Sequence, residues 1–313
     1  MERILITGGA GFIGSNLVKY LLKNNNEIIV FDKLSKDEIP RLVPILNKIT
    51  YKKIDLKDFD SLNNEMKNID TIAHFSASAD IALGKENTRT DFNEGILTTF
   101  NILEAMRING IKKIIFPSSS TIYGDFSKIP TPEDAGMLFP TSLYGAAKLS
   151  SEGLISAFCH LFNMKSWIFR FGNVVGTDMT RGVIKDFIKK LKNDPKKLHI
   201  LGDGNQKKDF IHVDDCVEAI LYAYENSNDT INVFNLGTGT VTSVNNIAKM
   251  VVDAMNLKNV KFSYSGGKSG WPGDAPVVHY DISKIKKIGW NPRMNSDMAV
   301  KISIQDTIKN EVD

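Results

Sequence analysis

Short, continuous, β-branched runs punctuate the first half of the chain: ERILIT, EIIVFD, ITYKKID, IDTIAHF and KKIIFPS. Runs that are apolar at consecutive rather than alternate positions read as strands buried on both faces of a parallel sheet. Between them, FIGSNLVKYLLKN and TTFNILEAMRING carry apolar residues at helical spacing, and Gly110 suits the C-cap of the second. LYGAAKLSSEGLISAFCHLF and KSWIFRF add one more helix and strand. Alternation through short links predicts an α/β fold, a doubly wound parallel sheet with right-handed crossovers. After about residue 172 the texture changes, as GTDMTRG, LGDGNQKKD and SGGKSGWPGDAP interrupt short elements. The expected division is a sheet domain over 1–172 and a smaller lobe over 173–313. Part of 210–240 returns to the sheet, because FNLGTG near residue 234 still reads as a sheet strand.

Composition narrows the function classes. A chain of 313 residues with 42% hydrophobic and 24% charged residues can bury a full core. A net charge of +3, with lysines scattered along the sequence, does not indicate a nucleic-acid groove. Cys159 and Cys216 lie far apart, and the five histidines show no metal-ligand spacing, so neither a disulfide framework nor a metal site is expected. The N-terminus opens directly into a strand, with no signal-peptide pattern and no bilayer-length apolar run, which leads to the expectation of a cytoplasmic protein.

The first candidate chemistry lies in TGGAGFIGS. It contains Gly8, Gly11 and Gly14, and fits GxGxxG through Gly9, Gly11 and Gly14. A strand precedes the motif, a helix opens from it, and Asp32 ends the next strand 18 residues after Gly14. Such glycines let the backbone approach a pyrophosphate, whose charge then rests at the helix N-terminus. Asp32 would accept hydrogen bonds from an adenosine ribose and repel a 2′-phosphate, favouring NAD over NADP, although Lys33 next door weakens the exclusion. The bland alternative is a tight turn without a ligand. Asp55, ending the third strand, is a candidate for the adenine end and equally a candidate helix cap.

The second is Tyr144 with Lys148, a YxxxK spacing that also occurs at Tyr264…Lys268 and Tyr280…Lys284. Context separates them. Tyr264 leads into Ser-Gly-Gly, which will not hold a helix, and Tyr280 lies far from the glycine loop. Tyr144 opens a long helix after the fifth strand, and residues four apart on a helix share a face. An ammonium beside the phenol is expected to lower its pKa from ~10, which makes Tyr144 a candidate general base. Packing on the sheet is the structural alternative.

TGGAGFIGS, Asp32, SSSTIYG and PTSLYGAAK together resemble an extended short-chain dehydrogenase/reductase of the Rossmann type. Among these the chain is most similar to the NAD-dependent sugar-nucleotide epimerases, the UDP-glucose 4-epimerase group. FRFGNVVG, GDGNQKKDFIHVDD and GWPGD…DISKIKKIGWNP follow in the same order, so the resemblance covers nearly the whole chain. It implies that Gly8, Gly11, Phe12, Ile13 and Gly14 hold the pyrophosphate, and that Asp32 and Lys33 face the ribose. It places Asp55 and Leu56 at the adenine, and Phe75, Ser76 and Ala77 beside the nicotinamide in FSASAD. It also implies that Tyr144 and Lys148 meet the cofactor in addition to their catalytic part.

The catalytic hydroxyl of such enzymes lies four residues before the tyrosine of the -YG pair, which counts back from Tyr123 to Ser119. Related 4,6-dehydratases carry Asp-Glu at the next two positions; Ser120 and Thr121 cannot do that work. The implied reaction is oxidation at C4 of a UDP-sugar, rotation of the 4-keto sugar and reduction on its other face, with NAD regenerated each cycle. For the substrate, the resemblance implies Ser119, Ser120, Tyr144, Asn173, Arg181, Val183, Leu201, Gln206, Lys208, Trp271 and Asp274, with Leu201 and Gln206 near the uracil. An Asn at a strand-to-loop turn is also simply common. Three positions depart from the pattern: Lys208 and Trp271 stand where Arg is usual, and Gly95 where Asn is common. Lys offers a point charge in place of a bidentate fork.

These readings converge on a homodimeric NAD-dependent UDP-glucose/UDP-galactose 4-epimerase. Helices around 95–108 and 145–162 would pair into a four-helix bundle through Ala146, Ala147, Leu154, Ile155, Ala157 and Phe158, residues that also suit internal packing. The rivals are a UDP-glucuronate 4-epimerase with Arg181 at the C6 carboxylate, a net nucleotide-sugar reductase or dehydrogenase, and a non-catalytic dinucleotide sensor.

Overall fold

The apolar runs of the first half fold as strands β1 (Arg3–Thr7), β2 (Glu27–Asp32), β3 (Thr50–Lys53), β4 (Thr71–His74), β5 (Lys113–Ser119) and β6 (Lys165–Phe171). The computed structural model describes residues 1–78, 83–124, 129–270 and 275–310. With the Ile231–Leu236 strand they form a sheet that has seven strands among the described residues. Its order is Ile231–Leu236, β6, β5, β4, β1, β2, β3. β1 runs parallel to β2 and β4, with Leu5 opposite Ile29 and Ile72. β2 pairs parallel with β3, and β4 with β5. Non-sequential parallel neighbours require crossover helices, and Phe12–Leu21, Thr98–Asn109 and Leu143–Phe162 are helical.

One run differs from its sequence reading. ITYKKID looks like a buried strand, yet β3 is the sheet edge and its residues are exposed or half-buried. An edge strand covers one flank only, so Thr50, Lys52 and Lys53 can turn to water. The centre behaves as expected. Leu5, Phe31, Ile72, Ile102, Met106, Ile114, Phe116 and Ile155 are almost wholly buried in one cluster. Each such side chain contributes roughly 1.5–3 kcal/mol by leaving water. Gly110 caps its helix in the left-handed conformation, with φ 71°.

The chain divides into two compact units. The first comprises 1–124, 136–170 and 220–234, and the second 125–135, 171–219 and 235–313. In the second, Asn173–Val175 pairs parallel with Phe210–His212, and Lys197–Ile200 with Lys261–Tyr264. Lys207–Lys208 pairs with Thr242–Ser243 and Val277–Val278. The Val183–Asn193 helix buries Ile184, Phe187, Ile188 and Leu191, a spacing that leaves its lysines on the other face.

Within the first unit, Phe92–Leu97 forms a π-helical turn leading into the Thr98–Asn109 helix. Gly95 lies in that turn against the Leu143–Phe162 helix, where a Cβ would stand 3.1 Å from the Ala147 Cβ. The unusual glycine therefore has a packing reason: an Asn here would press on Ala147. Ala147 and Ile155, two of the six residues assigned to a dimer bundle, are 4% and 0% exposed within this single chain. They pack internally and are removed from that assignment.

Candidate active site

Strand β1 ends at Thr7, and the chain turns through Gly8 at φ +66° into the Phe12–Leu21 helix. A Cβ on Gly8 would come within 2.7 Å of the Ser76 backbone nitrogen, and one on Gly14 within 2.4 Å of the Gly8 carbonyl oxygen. Only glycine lets these backbones approach so closely. Phe12 and Ile13 open the helix, whose N-cap is Gly11 with no side-chain cap and no acidic residue in the first turn. Its first N–H groups thus have no side-chain acceptor, and the helix dipole favours an anion there. The turn fits a pyrophosphate.

Asp32 ends β2 beside this turn. Its Oδ2 accepts from the Ala10 N–H at 3.1 Å and its Oδ1 from the Leu34 N–H at 3.3 Å. Lys33 turns instead to Glu94 at 3.3 Å, which also holds Lys57 at 2.6 Å. Asp55 does not cap the Phe59–Glu65 helix, since Asp58 does; Asp55 accepts from the Lys57 N–H at 3.0 Å. Leu56 is buried, and its carbonyl accepts from the Asn101 side chain at 2.8 Å. Asn101 had no signal in the sequence, because it comes from a helix more than forty residues later. Phe75, Ser76 and Ala77 are half-buried after β4, while Asp80 of the same motif lies outside the described residues.

We expect Asp32→Ala to shift the NAD/NADP affinity ratio roughly 10–100-fold toward NADP, the worth of a hydrogen bond to a charged group. Fluorescence titration of cofactor-free protein with both dinucleotides checks this. An unchanged ratio would remove Asp32 from the ribose.

Ser119 ends β5 and caps the turn Ser120–Tyr123. Its Oγ accepts from both the N–H and the Oγ1–H of Thr121, at 3.2 and 3.0 Å. With its two lone pairs so engaged, the Ser119 hydroxyl is left to donate, and it is near enough to the Tyr144 phenol to lower its pKa. Ser142 caps the helix that Tyr144 opens, accepting from the Gly145 N–H at 3.1 Å. Lys148 lies one turn on, 6% exposed. Its Nζ donates to the Pro117 carbonyl at 2.7 Å and stands 5.8 Å from the Tyr144 ring centroid and 4.6 Å from that of Phe116. The rival tyrosines are elsewhere: Tyr264 is exposed at the end of a strand, and Tyr280 is buried in an extended segment bridging Thr131.

The electrostatics correct one expectation. Tyr144 is not lowered; burial, and then the Asp91 carboxylate, push it up to about 12, partly offset by the Ser119 hydrogen bond. Burial brings Lys148 down to about 8, opposed by Glu152. Spacing on a helix face says nothing about desolvation, which here outweighs the neighbouring ammonium. Asp91 was missed by sequence reasoning. It is buried, its Oδ2 has no hydrogen-bond partner, and burial raises its own pKa.

A buried chain of polar groups stands behind the site. Thr99 donates to the Gly95 carbonyl at 2.7 Å and accepts from Ser151 at 3.2 Å. The His74 Nε2, 3.2 Å from Thr99, must then be the protonated nitrogen, and the Nδ1 accepts from Thr7 at 2.7 Å. Burial drives His74 down to about 3, so the ring is neutral and joins Thr7 of β1 to Thr99 of the Thr98–Asn109 helix, which in turn meets Ser151 of the Leu143–Phe162 helix.

The second unit contains a cavity of about 350 Å³. Asn173, Arg181, Val183, Leu201, Gln206 and Lys208 all line it, although they come from separate stretches of the chain. Met179, Phe187, Phe210 and Val244 complete an apolar wall; they carried no sequence signal because burial faces alone do not say which cavity they border. Gln206 is 3% exposed; its Nε2 donates to the Leu201 carbonyl at 3.1 Å, and its Oε1 has no hydrogen-bond partner. Lys208 is buried and donates to the Ala275 carbonyl. Trp271 and Asp274 lie outside the described residues. Among the described residues no group of His, Cys, Asp and Glu could hold a metal, and no helix is long and apolar enough to cross a membrane.

A parallel sheet with a glycine turn and an acidic residue ending β2 has the layout of a dinucleotide-binding α/β fold, with a Ser–Tyr–Lys cluster after β5. The chain belongs to the NAD dependent epimerase/dehydratase family, whose sequence profile matches residues 4–237. It is 32% identical over 305 residues to a putative UDP-glucose 4-epimerase of Methanocaldococcus jannaschii, covering 95% of this chain and 96% of that one. A UDP-glucose 4-epimerase of Thermotoga maritima, solved with UDP-glucose, superposes with a TM-score of 0.88 at 29% identity, covering 99% of both chains. A UDP-glucuronic acid 4-epimerase variant of Bacillus cereus, solved with UDP-4-deoxy-4-fluoro-glucuronic acid and NAD, gives 0.88 at 26% identity over 98% of this chain and 99% of that one. NAD is the cofactor of this protein.

Proposed function

We propose that the protein is a UDP-hexose 4-epimerase acting on UDP-glucose and UDP-galactose. The observation that carries this reading is the cluster in the first unit: a Ser119 hydroxyl near the Tyr144 phenol, with Lys148 one helical turn away. When bound, NAD takes up and returns the hydride of C4. Tyr144 receives the O4 proton and later gives it back, and Ser119 keeps the phenol oxygen fixed through that exchange. Lys148 favours the phenolate by its charge. Gly8, Gly11, Phe12, Ile13 and Gly14 hold the pyrophosphate at the helix N-terminus, and Asp32 holds the ribose.

In the second unit, the cavity lined by Asn173, Leu201, Gln206 and Lys208 takes the nucleotide end of the substrate. The unpartnered Gln206 Oε1 is an acceptor that an N–H of a pyrimidine base would satisfy. Lys208 supplies positive charge for the diphosphate as a point, without the fork of an arginine. Arg181 on the cavity wall supports a second reading, a UDP-glucuronate 4-epimerase.

The chain also works as a homodimer in this reading. Phe100, Ile108 and Leu161 are exposed, and Phe100 stacks edge-on to Phe158, which meets Phe162. These aromatics, rather than the buried Ala147 and Ile155, form the contact.

Incubating purified protein with UDP-glucose and no added cofactor, followed by chromatography, tests the activity. UDP-galactose should appear with no build-up of reduced cofactor. Conversion of UDP-glucuronate alone would select the second reading, and conversion of neither would sink both.

A further inference from the structure

One buried ion pair has no part in proton transfer or cofactor binding, yet it touches the elements that carry both proton-transfer groups. Arg170 on β6 is 7% exposed and Glu152, one helical turn beyond Lys148, is 8% exposed. The guanidinium grips the carboxylate with both arms, Nε to Oε1 at 3.0 Å and Nη2 to Oε2 at 2.7 Å. Its remaining arm, Nη1, donates to the Tyr123 hydroxyl at 3.2 Å, and its carbon stands 5.3 Å from the Tyr123 ring centroid.

A buried pair of this kind is a poor way to gain stability, because desolvating two ions costs as much as their attraction returns, and apolar residues of similar volume do as well. Its geometry is more informative. Tyr123 closes the turn Ser120–Tyr123 that Ser119 caps, whereas Glu152 sits on the Leu143–Phe162 helix with Tyr144 and Lys148. The planar fork of arginine meets both at once, and lysine has no such geometry.

We propose that the Glu152–Arg170 pair is a positioning element of the proton-transfer site, fastening the turn that carries Ser119 to the helix that carries Tyr144 and Lys148. Arg170 is the fastener, Tyr123 its anchor on the turn and Glu152 its anchor on the helix. The Glu152 charge also opposes the burial that would strip Lys148 of its proton. The kinetic consequence rests on the epimerase reading; the mechanical one does not.

The test uses the full chain with NAD bound and three variants: Tyr123→Phe, Arg170→Lys and Glu152→Gln. Tyr123→Phe removes one oxygen and keeps the ring, so it should fold and melt like the wild type. Its kcat on UDP-glucose should fall about ten- to a hundredfold, the cost of slight misplacement at a reacting centre, with KM and NAD affinity unchanged. Hydrogen exchange at the Ser120–Tyr123 amides should quicken about tenfold in Tyr123→Phe and in Arg170→Lys. Glu152→Gln should lower kcat at least as far as Tyr123→Phe. A purely structural pair would lower the melting temperature and leave both kcat and the local exchange unchanged, and that result overturns the proposal. If the wild type converts no UDP-sugar, the epimerase reading fails and exchange alone decides: unchanged protection in Tyr123→Phe and Arg170→Lys then overturns the fastening.

Discussion

Replacing Tyr144 by Phe is expected to lower kcat roughly 10²–10⁴-fold, the range of general acid–base catalysis, while NAD still binds. The substitution removes one oxygen and keeps the ring that opens the helix, so the Ser142 cap and the Lys148–Pro117 hydrogen bond persist. What is lost is the phenol oxygen beside Ser119, the atom proposed to hold the O4 proton. The phenol is pushed up to about 12, burial being the main cause. A positive nicotinamide ring bound beside Tyr144 would oppose that, so adding NAD should lower the pKa. Ultraviolet difference titration with and without NAD, using Tyr144→Phe as the blank, measures the shift directly. Below the phenol pKa the phenolate fraction grows about tenfold per pH unit, so kcat should climb through neutrality. It should level off near pH 8, where Lys148 begins to lose its proton. Wild-type turnover in Tyr144→Phe would dismiss the proposed base.

How much of this was readable in advance depended on whether a feature is local. The glycine turn and Asp32 are a short-range pattern, and the structure supplies its physical basis in the close approaches at Gly8 and Gly14. Tyr144 and Lys148 are separable from two decoys because glycines deny Tyr264 a helix and Tyr280 lies far along the chain from the glycine loop. The cavity residues needed the resemblance, since Asn173, Arg181, Leu201 and Gln206 meet only through the fold of the second unit. Asp91, Asn101 and the Glu152–Arg170 pair had no signal, being polar residues whose partners lie on other elements. The sign of the Tyr144 shift was misjudged for a similar reason. Helical spacing reports who stands beside the phenol, whereas the dominant effect is how much water has left it. Likewise ITYKKID read as buried because its apolar content resembles that of the inner strands, and sheet order alone makes β3 the edge.

Lys148→Met should abolish most turnover and change the pH dependence of stability in a direction that can be worked out. Burying the ammonium brings its pKa from 10.5 to about 8, which corresponds to about 3 kcal/mol of folding free energy at neutral pH. The folded-state value lies below the unfolded one, so between pH 8 and 10.5 the unfolded chain binds more protons. Stability associated with this group must therefore rise with pH through that window, and above it the cost is gone. The Met side chain titrates nowhere, and other groups cancel in the comparison. The stability of the wild type minus that of the variant should grow by about 3 kcal/mol from just below pH 8 to near pH 10.5. Losing the hydrogen bond to the buried Pro117 carbonyl costs the variant about 1–3 kcal/mol at every pH, so the two proteins should be close in stability at neutrality. Activity should not be close. Without the ammonium the phenolate loses its charged neighbour, and kcat should fall roughly 10²–10⁴-fold. A chain that carries a desolvated cation at such cost trades stability for the chemistry proposed for this site. Urea unfolding of both proteins across that pH window decides the point. A difference independent of pH would mean that the Lys148 ammonium is not held at the disadvantage its burial implies.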